Sequence, residues 1–336
     1  MNPSTPQSPR IPARFPLPAG APARPTSVFG TPSTPPRPTG SGPGGFPAPL
    51  PAAAAPAPMA PPEKMSAADF DYIRNMVRDQ AAIVLEVGKE YLVESRLLTL
   101  ARKEGLNTVS SLVTQLRAAP GGPLQRKVVD AMTTNETSFF RDLHPFETLR
   151  KAIIPAAMER RKVERQLNIW CGAASTGQEP YSIMMLIHEH FQELLGWNFR
   201  FVATDLSSEV LARAKAGRFS QLEVNRGLPA PLLVKHFMRH GMEWEIREDI
   251  RKRVEFRELN LIREWPVMPS MDIVFLRNVL IYFDADTKRQ ILGRIRRLLR
   301  PGGCLVLGGA ETTLGLDDNY ERVVVDRTTF YRVRAV

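Results

Sequence analysis

The sequence predicts an α/β domain with a doubly wound, mostly parallel sheet, preceded by a small helical module. Three observations lead to this fold class. A strand, a small-residue turn and a helix follow one another over residues 167–187. Short apolar segments then alternate with helical patterns as far as a closing hairpin near the C-terminus. Before this domain, helical patterns run from Ser66 to Met132.

The N-terminal stretch, residues 1–62, holds 20 of the 30 prolines and no acidic residue. Such a composition cannot bury enough apolar surface to offset chain entropy. We therefore expect a disordered Pro/Ala-rich tail with polyproline II character. The sequence leaves open whether this tail is an inert tether or binds a proline-recognising partner.

The charge and hydropathy of the chain limit its partners and its location. The net charge is +10, which is compatible with nucleic acid, acidic protein or membrane headgroups as partners. The four arginines of the tail supply part of this charge, so the remainder is only moderately basic. No apolar run approaches the ~18 residues that span a bilayer, and no hydrophobic signal region is present. We expect a cytoplasmic protein without direct membrane insertion.

The helical module is predicted over residues 63–132. Ser66 is a suitable N-cap for its first helix, and Gly105 ends the second. Two shorter helices follow on either side of a Pro-Gly-Gly-Pro break at residues 120–123. The second helix carries basic residues that form either a solvated surface or a docking surface for an acidic helix, namely Lys89, Arg96, Arg102 and Lys103.

Residues 133–165 are predicted to be a linker and a lead-in helix. The segment TTNETSFFRD at residues 133–142 has neither helical nor strand periodicity. It is therefore either a simple connection or a loop folded onto another part of the chain. Residues 151–165 are expected to be helical up to the first strand of the main domain, which covers residues 166–336.

The first strand–turn–helix unit, LNIWCGAASTGQEPYS, organises the main domain. In doubly wound folds, ligands bind at the carboxyl ends of the strands, where a helix N-terminus offers free N–H groups. The carboxylate of Glu179 would repel a pyrophosphate but could hold a cation or a hydroxyl. This residue favours S-adenosylmethionine, which carries a sulfonium and an ammonium, over NAD or ATP. A purely structural turn remains the alternative.

A second acidic residue, Asp205, closes the second predicted strand, residues 199–203. In nucleoside-binding doubly wound folds a carboxylate at this point meets a ribose diol. A solvent-facing helix cap is the competing use of Asp205.

The remaining segments complete the predicted sheet. Residues 217–252 interrupt the alternation of strands and helices and are expected to form an inserted antiparallel β-subdomain. Strands are predicted at residues 254–261, 272–276 and 304–307, with a hairpin at 322–325 and 330–333, and Asp284 is expected to cap a helix. Seven strands with an antiparallel last pair match a class I, Rossmann-like methyltransferase sheet.

The cysteines and histidines do not predict a metal site. Cys171 and Cys304 lie in predicted buried strands, where a small hydrophobic residue is the ordinary interpretation. His188 and His190 are two residues apart on a helix and point to different faces. We therefore expect no ligand cluster and no metal.

Five ordered motifs, TTNETSFFRD, IWCGAASTGQEPYS, VATDLS, VEFRELNL and FLRNVLIYFD, resemble the CheR family of chemotaxis receptor methyltransferases. The resemblance spans residues 66–334. It implies a class I Rossmann-like domain that binds S-adenosylmethionine, releases S-adenosylhomocysteine and carries an inserted β-subdomain. It also implies a helical substrate-docking domain and protein-glutamate O-methyltransferase activity on chemoreceptor cytoplasmic helices.

The resemblance also implies site residues. Arg141 and Tyr282 match the side chains nearest the transferred methyl group. The cofactor-binding positions it implies are Asn135, Thr137, Arg141, Glu179, Asp205, Asn260, Leu261, Arg277 and Asn278. Gln178 departs from the family, because many relatives have Glu there.

Two further expectations concern partners and rival functions. Residues 236–253 look shorter than in relatives that grip a receptor's C-terminal pentapeptide, so we expect the protein to work without that tether. We also expect a monomer. A nucleic-acid methyltransferase is the first rival, but its Asn/Asp-Pro-Pro-aromatic element is replaced here by Arg277-Asn278-Val279-Leu280. A non-catalytic cofactor-binding module is the second rival. We expect no nucleic-acid partner.

Overall fold

The computed structural model describes residues 64–334, so the tail predicted for residues 1–62 lies outside the described residues. Four helices come first: α1 (Ala67–Ala81), α2 (Glu90–Lys103), α3 (Val109–Ala118) and α4 (Pro123–Met132). Ser66 caps α1 as predicted, because its side chain accepts a hydrogen bond from the Asp69 N–H. The four helices enclose a core of their own that includes Ile73, Leu97 and Leu112.

The lead-in helix ends earlier than predicted. Helix α5 (His144–Thr148) continues through a π-helical turn (Leu149–Ile153) into α6 (Ile154–Arg160). Pro155 follows the π turn and has no N–H to donate, which favours such an irregularity. The prediction that the helix extends to residue 165 is wrong. Arg161 instead donates to the Asp272 carboxylate at 2.7 Å, and Arg165 turns the chain into the sheet with a φ of +48°.

The main domain is a seven-stranded sheet with helices on both faces. Its strands and longer helices are β1 (Gln166–Gly172), α7 (Gln178–His190), β2 (Asn198–Asp205), α8 (Ser208–Ala216), β6 (Val254–Glu258), β7 (Met271–Leu276), α12 (Ala285–Leu298), β8 (Leu299–Leu307), β9 (Tyr320–Val325) and β10 (Thr328–Val333). The strand order is β6-β2-β1-β7-β8-β10-β9. The pairs of β10 with β8 and with β9 are antiparallel, and the other neighbouring pairs of this sheet are parallel. The predicted fold class is confirmed, including the closing hairpin.

The strand register places four strand ends together. Gly172 at the end of β1 pairs with Thr204 of β2 on one side and with Leu276 of β7 on the other. Asp205 pairs with Glu258, the last residue of β6. Since the switch in strand order lies between β1 and β7, a crevice opens at this edge.

Two sequence predictions at this edge have different outcomes. Asp284 caps α12 as predicted, with its side chain accepting from the Thr287 N–H. The third strand was expected to reach residue 261, but β6 ends at Glu258. The side chain of Asn260 accepts from the Ile262 N–H at 3.1 Å, which turns the chain away from the sheet.

The insertion forms the second, three-stranded sheet, in the order β3-β5-β4. Its elements are β3 (Arg218–Ser220), α9 (Gln221–Asn225), α10 (Ala230–His236), β4 (Phe237–His240), β5 (Glu243–Ile246) and α11 (Glu248–Arg251). Both neighbouring pairs are antiparallel, which confirms the inserted antiparallel subdomain.

Polar side chains of the main domain fix the helical module to it. Asn260 donates to the Gln80 carbonyl at 2.8 Å, and Arg263 donates to the Asp79 carbonyl at 3.1 Å. These carbonyls belong to the last turn of α1, which has no helical partner for them. Among residues 64–334, no helix is both long enough and apolar enough to cross a membrane.

Candidate active site

A cavity of about 110 Å³ lies at the carboxyl ends of β1, β2, β6 and β7. All ten residues that the sequence analysis singled out contribute to its wall: Asn135, Thr137, Arg141, Glu179, Asp205, Asn260, Leu261, Arg277, Asn278 and Tyr282. The common location of these residues follows from the topology, because five of them, Asp205, Asn260, Leu261, Arg277 and Asn278, lie at or just after a strand end.

The turn after β1 forms the floor of the cavity. Ala173 and Ser175 have φ angles of +54° and +49°, which non-glycine residues rarely adopt. At Gly172, an added Cβ would lie 2.7 Å from Cδ1 of Leu276, so a side chain there would have to displace Leu276. The tight turn brings the first turn of α7 to the cavity, and Glu179 lies in that turn. A carboxylate at a helix N-terminus is favoured by the helix dipole.

Asp205 is held from two sides at the end of β2. One carboxylate oxygen accepts from the Ser175 N–H at 2.8 Å and the other from the Ser207 N–H at 3.0 Å. Burial raises the pKa of Asp205, and the surrounding N–H groups only partly offset this. Ser207 caps α8, so a solvent-facing cap is not the role of Asp205, which is only 7% exposed.

An ion-pair network centred on Arg277 connects three segments of the site. Its guanidinium lies 2.5 Å from the Glu179 carboxylate and 2.7 Å from that of Asp142, and it also donates to the Arg141 carbonyl. The Arg277 side chain is only 1% exposed. Sequence reasoning missed this network because its members lie about a hundred residues apart. Its effect is to tie the linker to the first turn of α7.

The linker, residues 133–142, folds over the cavity. The Asn135 carbonyl accepts from the Ser175 hydroxyl at 2.9 Å, and the Phe140 N–H donates to the Ser182 hydroxyl at 2.9 Å. Arg141 donates to the Glu136 carbonyl at 3.0 Å. Phe139 packs against Phe219 and other aromatic residues of the insertion, with ring centroids 5.0 Å apart. Of the two interpretations of this segment, the folded loop is therefore confirmed.

The helical module closes the opposite side of the cavity. The Val84 N–H, in the connection after α1, donates to the Tyr282 carbonyl at 3.1 Å. The side-chain amide of Asn260 is engaged with Gln80 and Ile262. Asn260 therefore orders the wall of the cavity as well as lining it.

Glu311 is a further residue that sequence reasoning did not identify. Its carboxylate accepts four backbone N–H groups, from Asn278, Val279, Leu280 and Gly308, at 2.7–2.8 Å. These bonds hold the segment that carries Asn278, whose φ is +57°. An acidic residue in an irregular segment gives no sequence signal for such a contact.

Replacing Glu311 with glutamine is expected to destabilise the protein and to lower its activity. The amide NH₂ would face backbone N–H donors, and losing two buried hydrogen bonds costs about 3 kcal/mol. Urea denaturation measures this loss, with the exposed Glu264→Gln as the matched control. A Glu311→Gln protein as stable as that control would show that the four bonds do not hold the segment.

The cysteines agree with the sequence analysis, but the histidines do not. Cys171 and Cys304 are buried and free of disulfide bonds within the described chain, and burial raises the pKa of both thiols. The expectation of no histidine ligand cluster is wrong. His188 lies close to Glu189 and His236, since the fold brings together residues that no local spacing relates.

Two family models match the chain. "CheR methyltransferase, all-alpha domain" covers residues 68–133, and "CheR methyltransferase, SAM binding domain" covers residues 135–329. This chain belongs to the CheR methyltransferase family. The second match begins at Asn135 and includes all ten cavity residues that the sequence predicted.

Curated relatives of this CheR-family chain support the same conclusion. Chemotaxis protein methyltransferase Cher2 of Pseudomonas putida is 42% identical over 270 residues, which cover 79% of this chain and 98% of that protein. Chemotaxis protein methyltransferase 1 of Pseudomonas aeruginosa is 43% identical over 271 residues, covering 80% and 98%. The chain is therefore an S-adenosylmethionine-dependent methyltransferase of chemotaxis, and the cofactor prediction is confirmed.

The donor set of the cavity suits S-adenosylmethionine. Glu179 and Asp205 offer carboxylates for an ammonium and for ribose hydroxyls. Arg277 offers a buried Nε that has no hydrogen-bond partner among residues 64–334. Apolar side chains of Leu206, Leu261, Val279 and Phe283 provide a surface for the adenine. The individual contacts assigned to these residues stay predictions.

Proposed function

We propose that this CheR-family enzyme methylates glutamate side chains on the cytoplasmic helices of chemoreceptors and so forms glutamate methyl esters. The observation that carries the proposal is that the described cavity wall contains Arg141 but no ordinary proton-accepting base. Arg141 lies in the wall, and none of the described residues that line the cavity is a histidine or a lysine. Such a wall suits an acceptor that is already an anion.

A glutamate side chain has a pKa near ~4.3 and is therefore ionised at neutral pH. Transfer to such an acceptor requires no residue that removes a proton. The carboxylates of the cavity are all engaged: Glu179 pairs with Arg277, Asp205 accepts two backbone N–H groups and Glu136 pairs with Arg226. A hydroxyl acceptor would have to lose a proton on methylation, and the wall has no histidine or lysine to take it.

Exclusion of water is the second contribution of the chain. When bound, S-adenosylmethionine supplies a methyl group on a positively charged sulfur. Water stabilises separated charges more than a transition state in which they are neutralised, so a dry cavity lowers the barrier. The linker and the connection after α1 supply this closure through the contacts of Asn135 and Val84.

Arg141 and Tyr282 are proposed as the residues next to the acceptor. Arg141 positions the incoming carboxylate. Tyr282 lies beside the transferred methyl group and offers its hydroxyl for a hydrogen bond. Alignment of the reacting groups removes an entropic cost of up to ~7 to 11 kcal/mol. Arg141 must not bind the acceptor carboxylate too tightly in the ground state. Equal binding of the ground state and the transition state does not raise turnover.

The helical module is proposed as the docking part for the acidic receptor helix. Arg102 and Lys103 are exposed on α2, so their charge is available to such a partner. Arg96 is already committed, because it donates to the carbonyls of Met132 and Thr133 at the end of α4. Arg96 therefore does not belong to the docking surface that the sequence suggested.

We also propose that the enzyme is a monomer that reaches its substrate without a pentapeptide tether. Strands β4 and β5 have four residues each and are joined by only two, Gly241 and Met242, which supports a short insertion. Isothermal calorimetry with a receptor C-terminal pentapeptide should therefore give no heat of binding. Tight binding of the peptide would refute this part of the proposal.

The proposed function is tested by incubating the enzyme with methyl-labelled S-adenosylmethionine and either receptor cytoplasmic fragments or RNA. The expected result is label on the receptor fragment that mild base releases, because esters hydrolyse under those conditions. Label on RNA would instead support the nucleic-acid methyltransferase. Donor binding without transfer to either substrate would support the non-catalytic module.

A further inference from the structure

A second cluster of ligand-type side chains lies between α7 and the insertion. His188 and Glu189 belong to the last turn of α7, and His236 is the last residue of α10. One ligand atom of each lies within 4.8 Å of those of the other two. None of the three lines the cavity of the active site.

The two ring nitrogens of His188 have different surroundings. Its Nε2 lies 3.6 Å from the Asp249 carboxylate. Its Nδ1 is buried and has no hydrogen-bond partner among residues 64–334. Metal-binding histidines usually direct their second nitrogen to a carboxylate in this way, which leaves the first with a lone pair for the metal.

We infer that His188, Glu189 and His236 form a binding site for Zn²⁺. Two imidazoles and one carboxylate are a known zinc ligand set, with a water completing a tetrahedron. Zinc ligands at about 2.0–2.2 Å from the metal lie about 3.3 Å apart, so small side-chain rotations bring these atoms to bonding distance. Mg²⁺ and Ca²⁺ prefer oxygen ligands, and two nitrogen donors disfavour them.

Lys235 competes with the metal for the Glu189 carboxylate. The Lys235 ammonium lies 2.7 Å from Glu189 Oε1, and His236 Nε2 lies 2.6 Å from the same oxygen. The Lys235 side chain is 55% exposed, so it can leave the carboxylate for water when zinc binds. Lys235 thereby lowers the affinity of the site without blocking it.

The metal would fix the insertion to the main domain. The His236 carbonyl accepts from the Arg247 N–H at 2.8 Å at the base of the small sheet. The next residue, Phe237, packs against Phe139 of the linker with ring centroids 5.7 Å apart. Zinc at His236 would therefore stabilise the base of the small sheet, on which the linker packs. The role is structural, and the inference does not depend on the proposed substrate.

The test measures zinc bound to the untagged full chain after removal of metals with a chelator and dialysis against buffered Zn²⁺. We expect about one zinc per chain in the wild type and in His190→Gln, an exposed histidine of the same helix. His188→Gln and His236→Gln should lose the zinc. His236 is buried, so the half-buried His188 is the safer variant if His236→Gln does not fold.

Two further measurements test the ligand set. Lys235→Met should bind zinc about tenfold more tightly than the wild type, because the competing charge is removed. Co²⁺ in place of zinc should give tetrahedral d–d absorption in the wild type and in His190→Gln but not in His188→Gln. Equal zinc in the wild type and His188→Gln, or a folded wild type that retains no zinc, would overturn the inference.

Discussion

Replacing Arg141 with alanine is expected to lower the rate of methyl transfer about 100-fold, because a misplaced acceptor loses the gain from alignment. The affinity for S-adenosylmethionine should change much less. The linker around Arg141 stays attached through Asp142, the Phe140 N–H and the Arg141 carbonyl, which do not depend on the Arg141 side chain. The measurements are a single-turnover rate with a receptor fragment and calorimetric binding of S-adenosylhomocysteine.

The control for this variant is Arg289→Ala, which removes an exposed arginine that pairs only with Asp286 on α12. It should leave both quantities unchanged. Arg141→Lys should recover part of the lost rate, because the charge is kept while the planar fork is lost. Equal losses of rate and cofactor affinity in Arg141→Ala would contradict the positioning role.

Replacing Asp205 with asparagine is expected to weaken binding of S-adenosylmethionine about 100-fold, since hydrogen bonds to a charged acceptor contribute more than neutral ones. Stability should fall less than in Glu311→Gln, because only one of the two backbone N–H groups that Asp205 accepts loses its acceptor. Burial raises the pKa of Asp205 and so penalises its charge in the folded protein, and asparagine removes that penalty. Calorimetric titration and thermal unfolding measure the two effects separately.

The matched control is Asp318→Asn, at an exposed carboxylate in the connection before β9. It should change neither affinity nor stability. An Asp205→Asn protein that binds the cofactor as tightly as the wild type would limit Asp205 to holding the turn through Ser175 and Ser207.

Much of the fold was predictable because its signals are local. Ser66 and Asp284 cap helices with the side-chain bonds that their sequence positions suggest. Strand ends were predictable from short apolar runs followed by turn residues, and parallel strands align those ends at one edge. This alignment explains why Glu179, Asp205 and Arg277 lie in one cavity.

The contacts that the sequence did not predict join residues without a common period. Arg277 with Asp142, Glu311 with the Asn278 N–H, and His188 with His236 are pairs of this kind. Their partners are set by the packing of separate elements, so neither spacing nor composition identifies them. The wrongly predicted ends of α6 and β6 have another cause. Just after Arg160 and after Glu258, side-chain hydrogen bonds end an element that propensity alone would extend.

The most direct test of the central claim is tandem mass spectrometry of a receptor cytoplasmic fragment after reaction with the enzyme and S-adenosylmethionine. The claim is that the arginine-bearing cavity delivers a methyl group to an acidic side chain. We predict added methyl groups on glutamate side chains that mild alkali removes and that Arg141→Ala greatly reduces. Methyl groups confined to lysine, or stable in alkali, would contradict the claim.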